Sequence, residues 1–391
     1  MRPAVRPPLV LRAQRTPALI LALASLAAAA TAVALRAGAV PGPLDPAAAH
    51  ATFATEPGLS VDLIAAEPVV RSPAALAWDE QGRLHVAENP DYPVGPAPGQ
   101  NPQGAIVRLT DTDGDGLLDQ RAVLAEGLRY PNGLMPWRGG WLVTDAPDLL
   151  WLCDTNHDAR ADVREVWFTG FATNQTTQLR ANAPTLGPDG WIYVARGLVG
   201  GTVTSPRWPR LQPVDLQAGD FRFRPDGSAA EAIGGNAQFG LVLDDVGRRF
   251  LVSNRNPLRH AVLDPRWWAR HPWLPLTEVV QDVSPTGYEA KVFPRSLDTT
   301  TAGFMPEFLA APHAGTFTSA CGIHQHFGGG LGAEREGSWL ICEPAQNLVQ
   351  RQIATARGAT FSSRRATESG EFLTSTDPWF HPVFATTGPD G

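Results

Sequence analysis

Three shortages in the sequence each close off a class of protein. Basic clusters come first: no block of Lys or Arg occurs beyond the N-terminus, and the formal net charge is −7. Nucleic acid is held by clustered cationic surface, so no nucleic-acid partner is expected. Cysteine is the second shortage, with 3 among 391 residues. No Cys-x-x-Cys-His occurs, so this chain attaches no c-type haem. Cys321 and Cys342 each sit in a short apolar, strand-like context and form one candidate pair, with Cys153 left over. Three free buried thiols are the plainer alternative. The third shortage is helical periodicity. After residue 50 no long segment repeats its apolar residues every 3.6 positions, which excludes helical and α/β folds.

What the chain has instead is turn formers and apolar residues. It carries 38 Gly and 36 Pro, and is 43% hydrophobic against 18% charged, a globular composition. The N-terminus reads differently. Arg2, Arg6, Arg12 and Arg15 precede an uncharged, Ala- and Leu-rich run from Thr16 to Leu35, the pattern of an export signal or a membrane anchor. Ala37-Gly38-Ala39 suits a cleavage site, and arginines ahead of the apolar run favour a cytoplasmic N-terminus. The expected organisation is a signal or anchor over 1–39, a linker over 40–55 and one globular body over 56–391. The body is expected to be exported, in the periplasm, and held at the membrane if the segment is uncleaved.

The body repeats itself. A unit of apolar residues, a Gly-containing turn and an alternating strand recurs at 74–88, 133–145, 183–195, 239–253 and 334–343, and begins again at 384–391. Asp-Gly and Gly-Gly turns flanked by β-branched and aromatic residues read as hairpins. Hairpins recurring at roughly fifty residues are the signature of propeller blades. The expectation is an all-β, six-bladed β-propeller with its last blade incomplete and an insertion at about 265–312. Gly58 to Pro68 is expected to supply the outer strand of that last blade. Gly388-Pro389-Asp390-Gly391 repeats the turn at 187–190 that leads into Trp191, so a truncated final blade is expected. The Trp-rich run 265–275 is expected to pack the insertion against the propeller.

Two acidic loops follow the calcium-loop spacing. Asp111, Asp113, Asp115 and Asp119 fill positions 1, 3, 5 and 9, with Gly116 at 6 and Ala122 where a bidentate carboxylate belongs. Forty-three residues on, Asp154, Asn156, Asp158, Asp162 and Glu165 fill positions 1, 3, 5, 9 and 12, with Ala159 at 6 resisting the sharp turn. Calcium pinning the outer strands of two blades is one reading; plain Asx turns are the other.

Residues 56 to 391 resemble the N-terminal domain of the PVC-type membrane-bound dehydrogenases, a family related to glucose/sorbosone dehydrogenase propellers. The stretches that carry the resemblance include PGLSVDLIAAEP, DTDGDGLLDQR, QLRANAPTLGPDGWIYVARG, QFGLVLDDVGRRFLVSNRNPLRH and EFLTSTDPWFHPV. It implies oxidation of a sugar, alcohol or aldehyde with a quinone-type cofactor, and a c-type cytochrome outside this chain as electron acceptor. Pyrroloquinoline quinone carries carboxylates that Arg180, Arg196 and Arg255 are placed to clamp, with Asn182 and Asn254 beside them. His313, His324 and His260 are the candidate bases. A second enzyme class stays open. Pro131-Asn132-Gly133 resembles calcium-dependent lactonase propellers, with Glu88, Asn132, Asn182 and Asn254 as the possible cage for an axial ion. A non-catalytic propeller binding a polysaccharide or a partner domain is the third reading.

Overall fold

The computed structural model describes residues 42–174, 177–217, 219–268, 270–271, 273, 278–296 and 314–391. The expected signal or anchor segment lies outside these residues. Among the described residues, no helix is long and apolar enough to cross a membrane.

A short helix, Pro46–His50, is the first element of the described residues, capped by Asp45, whose carboxylate accepts the Ala48 N–H at 2.9 Å. Strand β1 (Phe53–Thr55) follows. The chain then winds blade by blade. Blade one is β2 (Pro73–Trp78), β3 (Leu84–Glu88), β4 (Gly104–Thr110) and β5 (Gln120–Leu128), in that order and antiparallel. Blade two is β6 (Pro131–Trp137), β7 (Gly140–Asp145), β8 (Asp148–Cys153) and β9 (Val163–Phe171). Blade three starts with β10 (Asn182–Leu186) and β11 (Ile192–Ala195). The chain then leaves to add β12 (Gly201–Thr204) and β13 (Val214–Asp215) outside β9, and returns as β14 (Gly219–Phe223) and β15 (Ala230–Gly234). Blade four is β16 (Leu241–Leu243), β17 (Arg249–Ser253), β18 (Asn256–Ala261) and β19 (Val280–Asp282). Blade five holds β20 (Cys321–Gln325), β21 (Trp339–Glu343), β22 (Leu348–Arg357), β23 (Thr360–Arg365) and β24 (Leu373–Ser375).

The repeated turn motif has a local cause. Between β2 and β3 the Asp79 carboxylate accepts the N–H groups of Gln81 and Arg83 at 3.0 and 2.9 Å, while Gly82 takes φ 74°. Between β16 and β17, Asp244 does the same for Val246 and Arg248, with Gly247 at φ 82°. An Asp that bonds its own turn and a Gly in left-handed conformation are what this hairpin needs. Aromatic rings fill the space between blades two and three. Trp167, Phe168, Phe171, Phe221 and Phe223 are buried, and Phe168 meets Phe223 at 4.7 Å between centroids. Each such ring contributes about 2–3 kcal/mol of burial.

The propeller has five blades among the described residues, not six. The stretch expected to open a sixth, from 384 on, forms no strand and pairs with none, and a blade exists only where strands share a ladder. Its place is nonetheless defined. A Cβ on Gly322 of β20 would collide with the Val383 carbonyl, and Phe384 packs in the cluster that holds Ala75 of β2. The segment therefore lies between the inner strands of blades five and one.

The expected role of Gly58 to Pro68 is also corrected. That stretch forms no strand; β1 is the N-terminal strand, and it pairs with β24 at the edge of blade five. A buried charge cluster fixes it there. Glu56 accepts from Arg351 Nε at 3.0 Å and Nη2 at 2.9 Å and from Arg335 Nε at 3.3 Å, while Arg335 Nη2 donates to the Pro57 carbonyl. Residues 46–55, expected as linker, are thus built into the fold. Of the Trp-rich run, Trp267 is 51% and Trp273 86% exposed, so these rings face outward rather than pack the insertion.

Candidate functional site

The inner strands enclose an axial cavity of about 230 Å³. Its wall is mostly backbone and apolar side chain: Gly133, Leu134, Gly240, Leu241, Gly322, Ile323 and Phe384. Small residues stand here because inner strands converge on the axis. A Cβ on Gly133 would meet Ala183 N at 2.8 Å, and one on Gly240 would meet Val252 at 3.0 Å. Among the described residues, the one ionisable side chain on the wall is His324, on β20. Its Nε2 lies 2.7 Å from Thr387 Oγ1. Burial first, and His326 second, lower its pKa to about 4, so the imidazole is neutral near pH 7.

The other predicted bases and clamps are dispersed. His260 is on β18, away from the axis; its ring stacks on Phe250 at 4.9 Å and Nδ1 lies 3.0 Å from Thr360 Oγ1. It belongs to the packing between blades four and five. His313 lies outside the described residues. Arg180 is buried, with its guanidinium 3.3 Å above the Tyr130 ring and Nη2 donating to the Thr173 carbonyl at 2.9 Å. Arg196 donates to the carbonyls of Leu216 and Gln217. Arg255 sits in the turn between β17 and β18, off the cavity wall.

Of the amides that suggested a cage, Asn132 and Asn182 staple neighbouring blades and Asn254 braces its own. Asn89 Nδ2 donates to Asn132 Oδ1 at 3.2 Å, and Asn132 Nδ2 donates to the Thr177 carbonyl at 2.6 Å. Asn182, on the cavity wall, spans to blade four, donating to the Gln238 carbonyl at 2.7 Å and accepting the Gly240 N–H at 3.0 Å. Asn254 accepts from Gln238 Nε2 at 2.8 Å. Glu88 accepts the Arg71 N–H at 2.9 Å and Arg121 Nη2 at 2.6 Å. Each side chain is committed to joining segments, and no ion cage forms from them.

Sequence reasoning missed two features at this end of the molecule. One is a carboxylate at the end of the second strand of a blade that anchors the entry to its first strand. Asp145 accepts the N–H groups of Arg129 and Tyr130, and Glu343 those of Thr318 and Ser319. Burial pushes Asp145 up to about 6 and Glu343 up to about 7. The signal was present, since Glu88, Asp145 and Glu343 each close a repeated hairpin. The other is the loop 89–103, rich in Pro and Gly. Its Pro93 carbonyl accepts the Thr177 N–H at 3.2 Å, and Gly95 lies against the Tyr130 ring, so it bridges the entries to blades two and three. Loops of this length are uncommon inside compact domains.

The acidic loops occupy one position in successive blades, joining β4 to β5 and β8 to β9. In the first, Asp111 accepts the N–H groups of Asp113, Gly114 and Gly116. Asp111, Asp113 and Asp115 each place an oxygen within 4.8 Å of the others. Asp119 is turned to the neck of the loop, where its oxygens accept from Thr112 N at 3.0 Å and Oγ1 at 2.5 Å. In the second, Asp154 accepts from His157, Asp158 and Ala159, and Asp162 from Thr155 N and Oγ1. Asn156 and Asp158 follow the path of Asp113 and Asp115, with Asn156 Nδ2 donating to Asp158 at 3.3 Å. Glu165 is not part of that loop's oxygen set. It sits on β9, accepts from Trp167 Nε1 and pairs with Arg207. Ala159, expected to resist the turn, adopts φ 72°.

Residues 45–391 match a family model described as "Domain of unknown function (DUF7133)". A search of curated proteins returns no match. Among solved structures, the pyrroloquinoline quinone domain of pyranose dehydrogenase from Coprinopsis cinerea is similar with a TM-score of 0.49 at 10% identity, over 90% of this chain and 94% of that one. The aldose sugar dehydrogenase from Streptomyces coelicolor gives 0.39 at 14%, over 80% and 84%. A luciferin-regenerating enzyme gives 0.40 at 9%, over 76% and 78%. Likeness at this level assigns no role to any residue here.

Proposed function

The chain belongs to the DUF7133 family, a domain of unknown function, and from that premise we propose that it is an exported dehydrogenase-type propeller acting on a sugar, alcohol or aldehyde at its axial cavity. The observation that carries this reading is His324. Among the described residues it is the single ionisable side chain on the cavity wall, and burial keeps its imidazole neutral near pH 7. Removal of a hydroxyl proton needs such a neutral base within hydrogen-bond reach. The kinship with PVC-type membrane-bound dehydrogenases, the periplasmic or membrane-held location and a cytochrome acceptor on another chain are parts of the same proposal. Calcium in the loop of Asp111, Asp113 and Asp115 is another, in a structural role.

The wall residues do not fit a quinone. At about 230 Å³ the cavity is smaller than the roughly 300–1,000 Å³ usual for ligand sites. Among the described residues no Arg or Lys lines it, whereas a tricarboxylate needs cationic partners. Arg180 and Arg196 already hold backbone carbonyls. No step is therefore routed through that cofactor. The same observation favours a second reading, a propeller that binds carbohydrate without turnover.

Isothermal titration of the folded chain decides between them. It would use pyrroloquinoline quinone in calcium buffer with an EDTA-treated control, then a panel of monosaccharides and primary alcohols. Saturable quinone binding, weakened at least tenfold by His324→Gln at unchanged melting temperature, overturns the misfit of the wall and upholds the dehydrogenase reading with a quinone as oxidant. Sugar binding without quinone moves the assignment to the binding propeller. A folded chain that takes up neither sinks both.

A further inference from the structure

We propose that Cys321 and Cys342 form a cross-strand disulfide that closes the inner hairpin of blade five when the chain folds in an oxidising compartment. The two residues are Cα partners across β20 and β21, beside a register shift between Cys321 and His324. Directly opposite residues of an antiparallel pair have Cα atoms about 4.5–5.5 Å apart and side chains on one face, inside the roughly 4.4–6.8 Å that a disulfide spans. Both belong to one buried cluster with Leu340 and Val349, and they are 7% and 1% exposed. In the structure both are thiols, with Cys342 Sγ donating to the Gly322 carbonyl at 3.9 Å. The third cysteine, Cys153, is in blade two on β8, so pairing leaves it as the one thiol.

Burial also sets when the bond can form. It raises the Cys321 thiol well above its ordinary value and the Cys342 thiol to about 12. The thiolate is the attacking species, and neither group supplies one inside the closed blade. Oxidation therefore belongs to folding, before β20 and β21 are covered. The balance is that of thiol–disulfide exchange. One thiolate attacks an external disulfide, the second cysteine displaces the resulting mixed disulfide, two sulfurs join, and the external disulfide leaves as two thiols. The bond would brace the hairpin against which Val383 and Ala385 pack.

The biological setting rests on the export reading, but the chemistry can be tested apart from it. Purified full-length chain would be unfolded with reductant and refolded in glutathione and glutathione disulfide. It would then be denatured, alkylated and digested for mass analysis. The expected result is one alkylated cysteine, Cys153, and a linked pair of peptides carrying Cys321 and Cys342, with a midpoint of denaturation above that of the reduced chain. Native reduced chain held in the same buffer without unfolding should stay unpaired on that timescale. Three alkylated cysteines after refolding, glutathione adducts alone, or a bond to Cys153 would overturn the proposal. Cell fractionation tests export separately, so failure of one does not mask the other.

Discussion

The loops at 111–119 and 154–162 are built on one plan and filled by different residues. Each begins with an Asp whose carboxylate gathers the N–H groups of the turn, and each closes on an Asp bonded to a Thr beside the first. Left-handed conformations fall at matching places, Gly114 and Gly116 at φ 80° and 92° in one, His157 and Ala159 at 64° and 72° in the other. The turn is thus made by the carboxylates, and glycine only eases it. The loops also dock alike. Ala161 N–H donates to the Leu124 carbonyl of β5, and Leu118 N–H to the Ile64 carbonyl. For blade one, the N-terminal segment takes the place that an outer strand takes for blade two.

That equivalence depends on how the N-terminal segment is held. Its anchor is Glu56 between Arg335 and Arg351, all three buried. Replacing Glu56 by Ala leaves the buried Arg351 without a carboxylate partner and Arg335 with only the exposed Glu334, a change that costs about 3–5 kcal/mol. This is the largest effect expected. Hydrogen exchange of the Leu118 amide should quicken at least tenfold more than that of Ala161, since only the first loop docks on the freed segment. Equal change at both amides would mean that Ile64 keeps its place without Glu56.

The blade hairpins and these loops were legible in the sequence because Asp, Gly and alternating apolar residues act locally. The count of blades was not, because the apolar pattern from 384 on becomes a blade only through distant partners, and it finds none here. Glu56 was illegible for the same reason, since its partners lie at 335 and 351. Position misled most at the axis. Asn132, Asn182 and Asn254 looked alike in the sequence, yet the first two open the inner strands of blades two and three while Asn254 follows the second strand of blade four, and their amides spend their hydrogen bonds between segments. Of the three histidines, His324 alone is seen on the cavity wall, and no spacing distinguished it from His260.

Acid and base act in opposite senses on loops and core. Backbone N–H groups of Gly116 and Gly114 hold Asp111 below its usual range, and the hydroxyls of Thr112 and Thr155 do so for Asp119 and Asp162. Their contribution is present above about pH 4 and lost on acidification. Glu343 is the reverse. Its folded pKa of about 7 exceeds the ordinary 4.5, so its contribution is complete below pH 4.5 and lost as pH rises through 7. A shift of that size corresponds to roughly 3 kcal/mol. Glu371, pushed up to about 7 by burial, adds in the same direction. Buried His324 and His260, lowered to about 4, act in the opposite sense over the same range, so the test is the difference in melting temperature between variant and parent from pH 3 to 8. Glu343→Gln should flatten the neutral limb and leave the acid limb, where the loop carboxylates titrate. A neutral limb unchanged by Glu343→Gln would show that the carboxylate stays ionised in the blade.

The smallest expected effect bears most directly on the two loops. A Cβ on Gly116 would meet nothing within 4 Å, so Gly116→Ala costs only the left-handed backbone, about 1 kcal/mol. Ala159→Gly relieves the same strain in the other loop but frees the unfolded chain, leaving a net gain of about 0.5 kcal/mol. Denaturant midpoints of the two variants should therefore move in opposite directions. If the carboxylates alone set the turn, removing strain in one loop and adding it in the other leaves the Asp111 and Asp154 hydrogen bonds in place, and the amides of residues 114–116 and 157–159 stay protected in both. Loss of protection in Gly116→Ala, with Ala159→Gly unchanged, would instead make glycine the determinant of the first loop. The second would then owe its shape to its docking on β5.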